Sequence, residues 1–251
     1  MILGYISTNT IVEEVLSKVK GRILDVGCGH GRSIKFVNNA CHGECYIIGL
    51  DVNCRKLNRA LEVLRNINLD LICANALNIP LRSNSIDAVM ASLVLHEVEV
   101  GLVDLVVEEA FRVLRGNGVF IVMDKVVDGV KTPSEKLTIL TENVRFKVWE
   151  YVYGCKPWGI RSSNEIVGKI VGKGFEKLLV KIVDYGGWMS GIEFAKIWGR
   201  ETLKLVEKIA NEERKREIIS LIEEIKAKAL KYGYGPAKMI IAIFRKPKDI
   251  Q

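Results

Sequence analysis

The sequence predicts an α/β fold built on a doubly wound, mostly parallel sheet, and three observations predict it. Short apolar runs alternate with helical segments through the first half of the chain. The first run, Ile23-Leu24-Asp25-Val26, passes into three glycines at alternate positions, Gly27, Gly29 and Gly31, and then into a segment of helical character. The second, Tyr46 to Leu50, ends in Asp51, about twenty residues past the last glycine, where a ribose-binding carboxylate is expected. A strand, a Gly-rich turn and a helix N-terminus in succession let a ligand lie against bare backbone, with the amides and dipole of the helix facing it.

The elements follow in order. Thr10 to Lys20 is amphipathic, with Ile11, Val12, Val15, Leu16 and Val19 on one side, and is expected to pack on the sheet edge. Ile23–Val26 and Tyr46–Leu50 are the first two strands, joined by a helix from Ser33 to Asn39. Val52 to Ile67 reads as a helix with Leu57, Leu61, Leu64 and Ile67 as its stripe, and Asp70–Ala74 as a short third strand. Turn-rich Arg82–Ser85 precedes a fourth strand, Ile86 to Leu93. Leu102 to Leu114 is helical and is ended by the turn Arg115-Gly116-Asn117-Gly118, after which Val119 to Asp124 is a fifth strand.

Beyond Asp124 the rhythm breaks. Pro133 to Tyr153 reads as a helix and Gly154 to Ser163 as a loop around Pro157 and Trp158. Ser163–Val171 (helix) and Phe175–Val183 (strand) restore the alternation. Two helices, Ile192–Ala210 and Glu212–Lys231, precede a final strand, Ala237–Arg245. With no repeat or low-complexity linker, residues 1–251 read as one domain carrying two helical insertions, 126–163 and 186–235.

Composition narrows the class. The chain has 251 residues, 49% hydrophobic and 27% charged, which is globular and ample for a core. No apolar run reaches the roughly twenty residues that span a bilayer. Met1 to Thr10 shows neither a basic segment nor a cleavage-like site, so a cytoplasmic protein is expected. The six cysteines are scattered; Cys41 and Cys45 come closest to a motif, but no second pair completes a zinc site, and no metal is expected. Gln251 is the sole glutamine while Lys, Ile, Val and Glu abound, a thermophilic leaning under which a Cys41–Cys45 disulfide is compatible. Net charge is +7: residues 1–125 hold 13 Lys and Arg against 14 Asp and Glu, and residues 126–251 hold 24 against 16. The second half thus carries the whole excess, either as solvated helix faces or as a surface for an anionic partner.

Five motifs in register carry a family resemblance: Leu24-Asp25-Val26-Gly27-Cys28-Gly29-His30-Gly31; Gly49-Leu50-Asp51; Asn75 to Leu81 with Ser85-Ile86-Asp87-Ala88-Val89; Leu95-His96-Glu97; and Glu109 to Gly118. Over roughly residues 10–125 the sequence resembles the class I S-adenosylmethionine-dependent methyltransferases, closest to the small-molecule group that includes the ubiquinone/menaquinone-biosynthesis enzymes. A nicotinamide or flavin fingerprint is Gly-x-Gly-x-x-Gly, whereas here the glycines alternate and Asp25 stands two residues before the first.

The resemblance implies a Rossmann-like seven-stranded sheet with an antiparallel last strand, S-adenosyl-L-methionine as cofactor and S-adenosyl-L-homocysteine as product. It implies that Gly27, Cys28, Gly29 and Gly31 bring backbone to the ribose and methionine portions and that Asp25 holds the amino end. Asp51 would accept from both ribose hydroxyls, although it also stands where a helix N-cap would. Asn75 occupies a position where the family commonly has Asp; its amide oxygen can still accept from the adenine amino group, beside the Ala76 amide, with Val52 and Leu77 as walls. Ser92 and Leu93 would lie beneath the sulfonium.

A sulfonium methyl is already electrophilic, so a general base matters only where the acceptor must lose a proton. His96, just past the fourth strand, is the candidate; Glu97, Asp124 and Lys125 are weaker ones, and His30 is expected to line the donor loop. Thirteen of the eighteen Phe, Tyr and Trp lie after residue 145. They read as packing or as a lid over an apolar or aromatic acceptor, with Asp124, Trp149, Tyr153, Trp158 and Trp188 as candidate pocket residues. A small-molecule acceptor is the leading expectation, apolar, aromatic or anionic. A tRNA or rRNA substrate, a protein substrate and a non-catalytic donor-binding role are the alternatives.

Overall fold

The computed structural model describes residues 6–248. Residues 1–5, part of the stretch read for an export signal, and residues 249–251, with the sole glutamine, lie outside the described residues. Seven strands form one sheet: β1 Arg22–Val26, β2 Tyr46–Asp51, β3 Leu69–Cys73, β4 Ile86–Ser92, β5 Leu114–Lys125, β6 Glu176–Tyr185 and β7 Ala237–Arg245. Their order is β3-β2-β1-β4-β5-β7-β6. Strands β1 to β5 pair in parallel, and β7 runs antiparallel between β5 and β6. The fold is thus Rossmann-like, and the order reverses between β1 and β4, where a crevice opens at the carboxyl ends of the strands.

Strands buried on both faces explain the near-continuous apolar runs. On one face Leu24, Val26, Leu50, Val89, Phe120 and Phe244 pack against α4 Val103–Val113 and α6 Ser163–Val171. On the other Ile23, Ile47, Met90, Ile121 and Ile241 meet α1 Ile6–Leu16, α2 Arg32–Ala40 and α3 Cys54–Val63. Helix α1 therefore covers a face of the sheet beside α2.

A third core joins what the sequence keeps apart. Helix α5 Pro133–Tyr153 lies between β5 and β6; α7 Gly191–Ile197, α8 Arg200–Val206 and α9 Glu212–Tyr232 lie between β6 and β7. Leu137, Val144 and Val148 of α5 pack with Phe194, Val206, Ile218, Ile222, Ile225 and Ala229. Both long helices start as their sequences require. Pro133 follows Thr132, the N-cap of the Thr132–Glu135 capping box of α5, and the Asn211 side chain accepts from the Arg214 amide at the start of α9.

Three expectations are corrected. The turn Arg115–Gly118 is a bulge inside β5: the register jumps from Ile86↔Leu114 to Ala88↔Val119 while Asn117 takes φ 64°. Helix Ile192–Ala210 is two helices, because the chain extends at Trp198 and turns left-handed at Gly199, φ 88°. The break lets Trp198 stack on Phe194 at 5.2 Å. Helix α3 ends at Val63, so Leu57, Ala60 and Leu64 form its buried stripe and Leu61 faces solvent.

Candidate active site

The donor side grows from the β1–α2 turn. Amides of Gly27 and Cys28 both donate to the Leu50 carbonyl, at 2.7 and 3.1 Å, folding the turn over the end of β2. At Gly27, φ 69°, a Cβ would sit 2.3 Å from the Val94 side chain, so only glycine fits. Gly29, φ 53°, instead faces open space, with only Asp51 Oδ2 within 4 Å of a built Cβ, at 3.9 Å. Backbone is therefore bare towards the crevice at this point. His30 is exposed on the same turn, and the Cys28 side chain is buried beneath it against Gly49. Burial, together with the charges of Asp25 and Asp51, pushes the Cys28 thiol far up, so it is packing rather than a nucleophile.

Asp51 binds the turn from the neighbouring strand. Its Oδ2 accepts from the Gly29 amide at 2.9 Å and its Oδ1 from the Asn53 amide at 2.8 Å. The α3 cap is Asn53, whose side chain accepts from the Arg55 and Lys56 amides at 3.1 and 3.3 Å. Asp51 is thus not the helix cap, and each oxygen keeps acceptor capacity towards the crevice. Val52 beyond it is 71% exposed.

Asp25 is fully buried. Ser33 Oγ donates to its Oδ2 at 2.5 Å, while Oδ1 has no hydrogen-bond partner among the described residues. Burial pushes its pKa up to about 7, with the Asp51 charge adding and the Ser33 bond opposing. A buried, half-satisfied carboxyl beside a glycine turn fits a cationic group such as the amino end of the methyl donor.

After β3, Asn75 Oδ1 accepts from the Leu77 amide at 3.0 Å and fixes the turn carrying Ala76 and Leu77, both half-buried. At the end of β4, Ser92 pairs in register with Met123 of β5, and Leu93 takes φ 58° while donating its amide to the Met123 carbonyl at 2.7 Å. A left-handed non-glycine residue held this way is the kind of stored strain found at sites.

The acceptor side centres on His96, in a short 3-10 turn, Leu95–Glu97, after β4. Its Nδ1 is hydrogen-bonded to Asp124 Oδ1; Asp124 also accepts from the His96 amide at 3.2 Å and the Lys125 amide at 2.7 Å. Both side chains are buried. The other ring nitrogen, Nε2, lies 3.9 Å from Glu97 Oε1. Glu97 accepts from Arg145 Nη1 at 2.8 Å, Arg145 Nη2 reaches Glu142 at 2.7 Å, and Glu142 pairs with Lys125. Burial opposes the charge of Glu142, yet Lys125 and Arg145 outweigh it and its pKa falls below the ordinary value. Arg145 also lies 5.1 Å over Phe146 and 5.0 Å over Trp149. The chain of charges closes on itself, because Lys125 follows Asp124 and Glu97 follows His96.

The remaining aromatics disperse. Trp158 is in the main core, its amide donating to the Val98 carbonyl at 2.6 Å. Tyr153 is 60% exposed at the end of α5, and Trp188 is 64% exposed over Gly233. Glu142 and Arg145 were not singled out by the sequence; their spacing of three on one helix signals a pair, but not the partners it meets. Cys54 and Cys73, joined in a second disulfide in addition to the Cys41–Cys45 bridge, were missed as well.

The geometry defines a class, a nucleotide-type donor site at the switch point of a seven-stranded sheet. Residues 24–122, from β1 into β5, match the methyltransferase domain family. Over that segment the chain carries a methyltransferase domain, and the enzyme is an S-adenosylmethionine-dependent methyltransferase with S-adenosyl-L-methionine as its cofactor. No curated protein matches the sequence. Among solved structures, one from Bacillus halodurans C-125, assigned as a methyltransferase, superposes with a TM-score of 0.66 at 16% identity, covering 96% of this chain and 100% of that one. A geranyl diphosphate methyltransferase in complex with GPP and sinefungin gives 0.57 at 16%, covering 96% and 78%. A phosphoethanolamine N-methyltransferase from Haemonchus contortus, with S-adenosylhomocysteine, gives 0.58 at 16%, covering 96% and 53%. At these identities the likeness is one of fold.

Proposed function

We propose that the enzyme methylates a small-molecule acceptor that must lose a proton, with His96 as general base. The observation that carries this reading is the His96–Asp124 pair at the carboxyl edge of β4 and β5, facing helix α5. Asp124 occupies Nδ1 and fixes the ring, so Nε2 is the nitrogen left for a substrate proton. S-adenosylmethionine supplies the electrophilic methyl when bound, and alignment does most of the rest. Asp25 would hold the amino end, the Gly27–Gly31 turn with Cys28 the sulfur-bearing chain over Ser92 and Leu93, and Asp51 the ribose. Val52, Asn75, Ala76 and Leu77 would take the adenine.

Residues 1–251 then form one methyltransferase domain in which 126–163 and 186–235 make the lid. Within the candidate pocket set, Asp124 orients the base and Trp149 stacks on Arg145, while the α5 aromatic against the His96 ring is Phe146, at 5.9 Å between centroids. Trp158, Tyr153 and Trp188 enter this reading only as support for the lid. Lysines of the basic half are extensively paired, Lys147 with Glu217, Lys215 with Glu207, Lys226 with Glu223 and Lys228 with Glu224. That pairing favours a small acceptor over RNA. A geranyl diphosphate enzyme among the structural neighbours lends the apolar, anionic acceptor class its support. A cytoplasmic setting and a thermophilic source belong to the same reading.

The test is release of S-adenosylhomocysteine across a panel of hydroxylated, amine and isoprenoid acceptors. With any active acceptor, His96→Gln lowers turnover about 100-fold or more and leaves product affinity intact. Unchanged turnover in that variant removes His96 as the base.

A further inference from the structure

We infer that the Cys54–Cys73 disulfide is a thiol-exchange site that sets the affinity of the methyl-donor pocket. The inference rests on the assignment of adenosine to the crevice beside Asp51 and Asn75. It starts from where the two cysteines stand. Cys54 is the first residue of α3, directly after Asp51-Val52-Asn53, and Cys73 is the last residue of β3, two before Asn75. In the sheet register Cys73 lies opposite Asp51 itself, and the Ala74 amide donates to the Asp51 carbonyl at 3.2 Å. The bridge, with Cα atoms 5.2 Å apart, therefore joins the two segments that would close on the adenosine, one from each strand end.

The wall on the β3 side needs such a tie. β3 is a five-residue edge strand, hydrogen-bonded to β2 alone, and none of its residues is fully buried. Elements with one ladder and little buried surface open at the lowest cost. Reduction releases this wall from α3 without touching the Asp51 bonds to Gly29 and Asn53, so the pocket pays the ordering cost on binding rather than beforehand. The chemistry is balanced: a dithiol gives two electrons and two protons to the S–S bond, leaving two cysteine thiols and its own disulfide.

The two bridges are not equivalent. Both Cys54 and Cys73 are exposed, whereas Cys41 and Cys45 are buried at 3% and 2% exposure. Reductant thus reaches the pocket bridge first.

The experiment titrates S-adenosylhomocysteine into the full-length protein by calorimetry, air-oxidised and after dithiothreitol. Reduction weakens binding about tenfold. Cys54→Ser/Cys73→Ser binds as the reduced protein does and ignores dithiothreitol, while Cys41→Ser/Cys45→Ser keeps the full response. By linkage, saturating S-adenosylhomocysteine shifts the dithiol–disulfide equilibrium of this pair tenfold towards oxidation, about 30 mV for a two-electron couple, read by alkylation and mass spectrometry. Equal affinity in both redox states, or full affinity in the Cys54/Cys73 double variant, overturns the inference and leaves the donor site standing. Failure of oxidised protein to bind S-adenosylhomocysteine at all overturns the donor-site assignment instead.

Discussion

On the donor side, polar groups are held in place but left incomplete. Among the described residues Asp25 Oδ1 lacks a partner, Asp51 retains acceptor capacity and Gly29 faces open space. On the acceptor side the reverse holds: Asp124 is held by His96 and two backbone amides, Glu97, Glu142, Arg145 and Lys125 pair among themselves, and His96 Nε2 has Glu97 Oε1 only at 3.9 Å. One region keeps its hydrogen-bonding capacity for a ligand of fixed chemistry. The other spends its charges on tying helix α5 to the ends of β4 and β5; under the proposed function it keeps His96 Nε2 for the reaction. The contrast teaches that the glycine-turn region leaves groups free for a ligand, whereas α5 is placed by groups that satisfy one another.

The largest effect should come from removing donor-side charge. Asp51→Asn keeps one acceptor but turns the other atom into a donor facing hydroxyl donors, and S-adenosylhomocysteine binding falls on the order of 100-fold by calorimetry. Wild-type affinity in that variant would break the comparison at its donor end. Next is the lid. Arg145→Met strands Glu97 and leaves Glu142 to Lys125 alone, costs about 2 kcal/mol and lowers the thermal midpoint by about 5 °C. Hydrogen exchange should place the loss in α5, with product affinity unchanged; a loss spread evenly over the sheet would mean the two regions are not separate.

The third effect is pH dependence through Asp25, whose pKa is pushed up to about 7 by burial. A carboxyl raised on folding adds stability below its ordinary value near 3.8 and loses it as pH rises through about 7. If the donor's ammonium meets the ionised form, S-adenosylhomocysteine affinity rises about tenfold between about pH 6 and pH 8. Thermal-shift titrations read this directly, and Asp25→Asn abolishes the slope. The smallest is Gly199→Ala in the α7–α8 break, where φ is 88° and only the Ile222 side chain is near. It costs about 1 kcal/mol through backbone conformation, visible as a lower lid midpoint with no change in donor affinity.

Legibility followed the range of the interactions. The strand–glycine–helix turn, the acid ending β2 and the helices at 133–153 and 163–171 depend on neighbours in sequence, and those elements lie where periodicity and capping place them. The Trp198-Gly199 break was not legible, because the stacking of Trp198 on Phe194 and of Phe194 on Tyr234, at 4.3 Å, only exists once α7 lies against α9. Nor was the bulge at 115–118, which depends on β4 and on Lys246, whose carbonyl accepts from the Asn117 amide at 2.9 Å.

The sequence by itself determined the sheet class, the glycine turn after β1 and the methyltransferase domain, since each is written in local spacing: alternate glycines, an acid at the next strand end, apolar runs of strand length. Tertiary structure decided which charges face one another. His96, Asp124, Glu142 and Arg145 come from three segments whose meeting depends on how α5 folds back over β4 and β5, and Cys54 meets Cys73 only through the parallel register of β2 and β3. Electrostatic and covalent pairing act at distances of a few ångströms in space, and sequence separation carries no record of them.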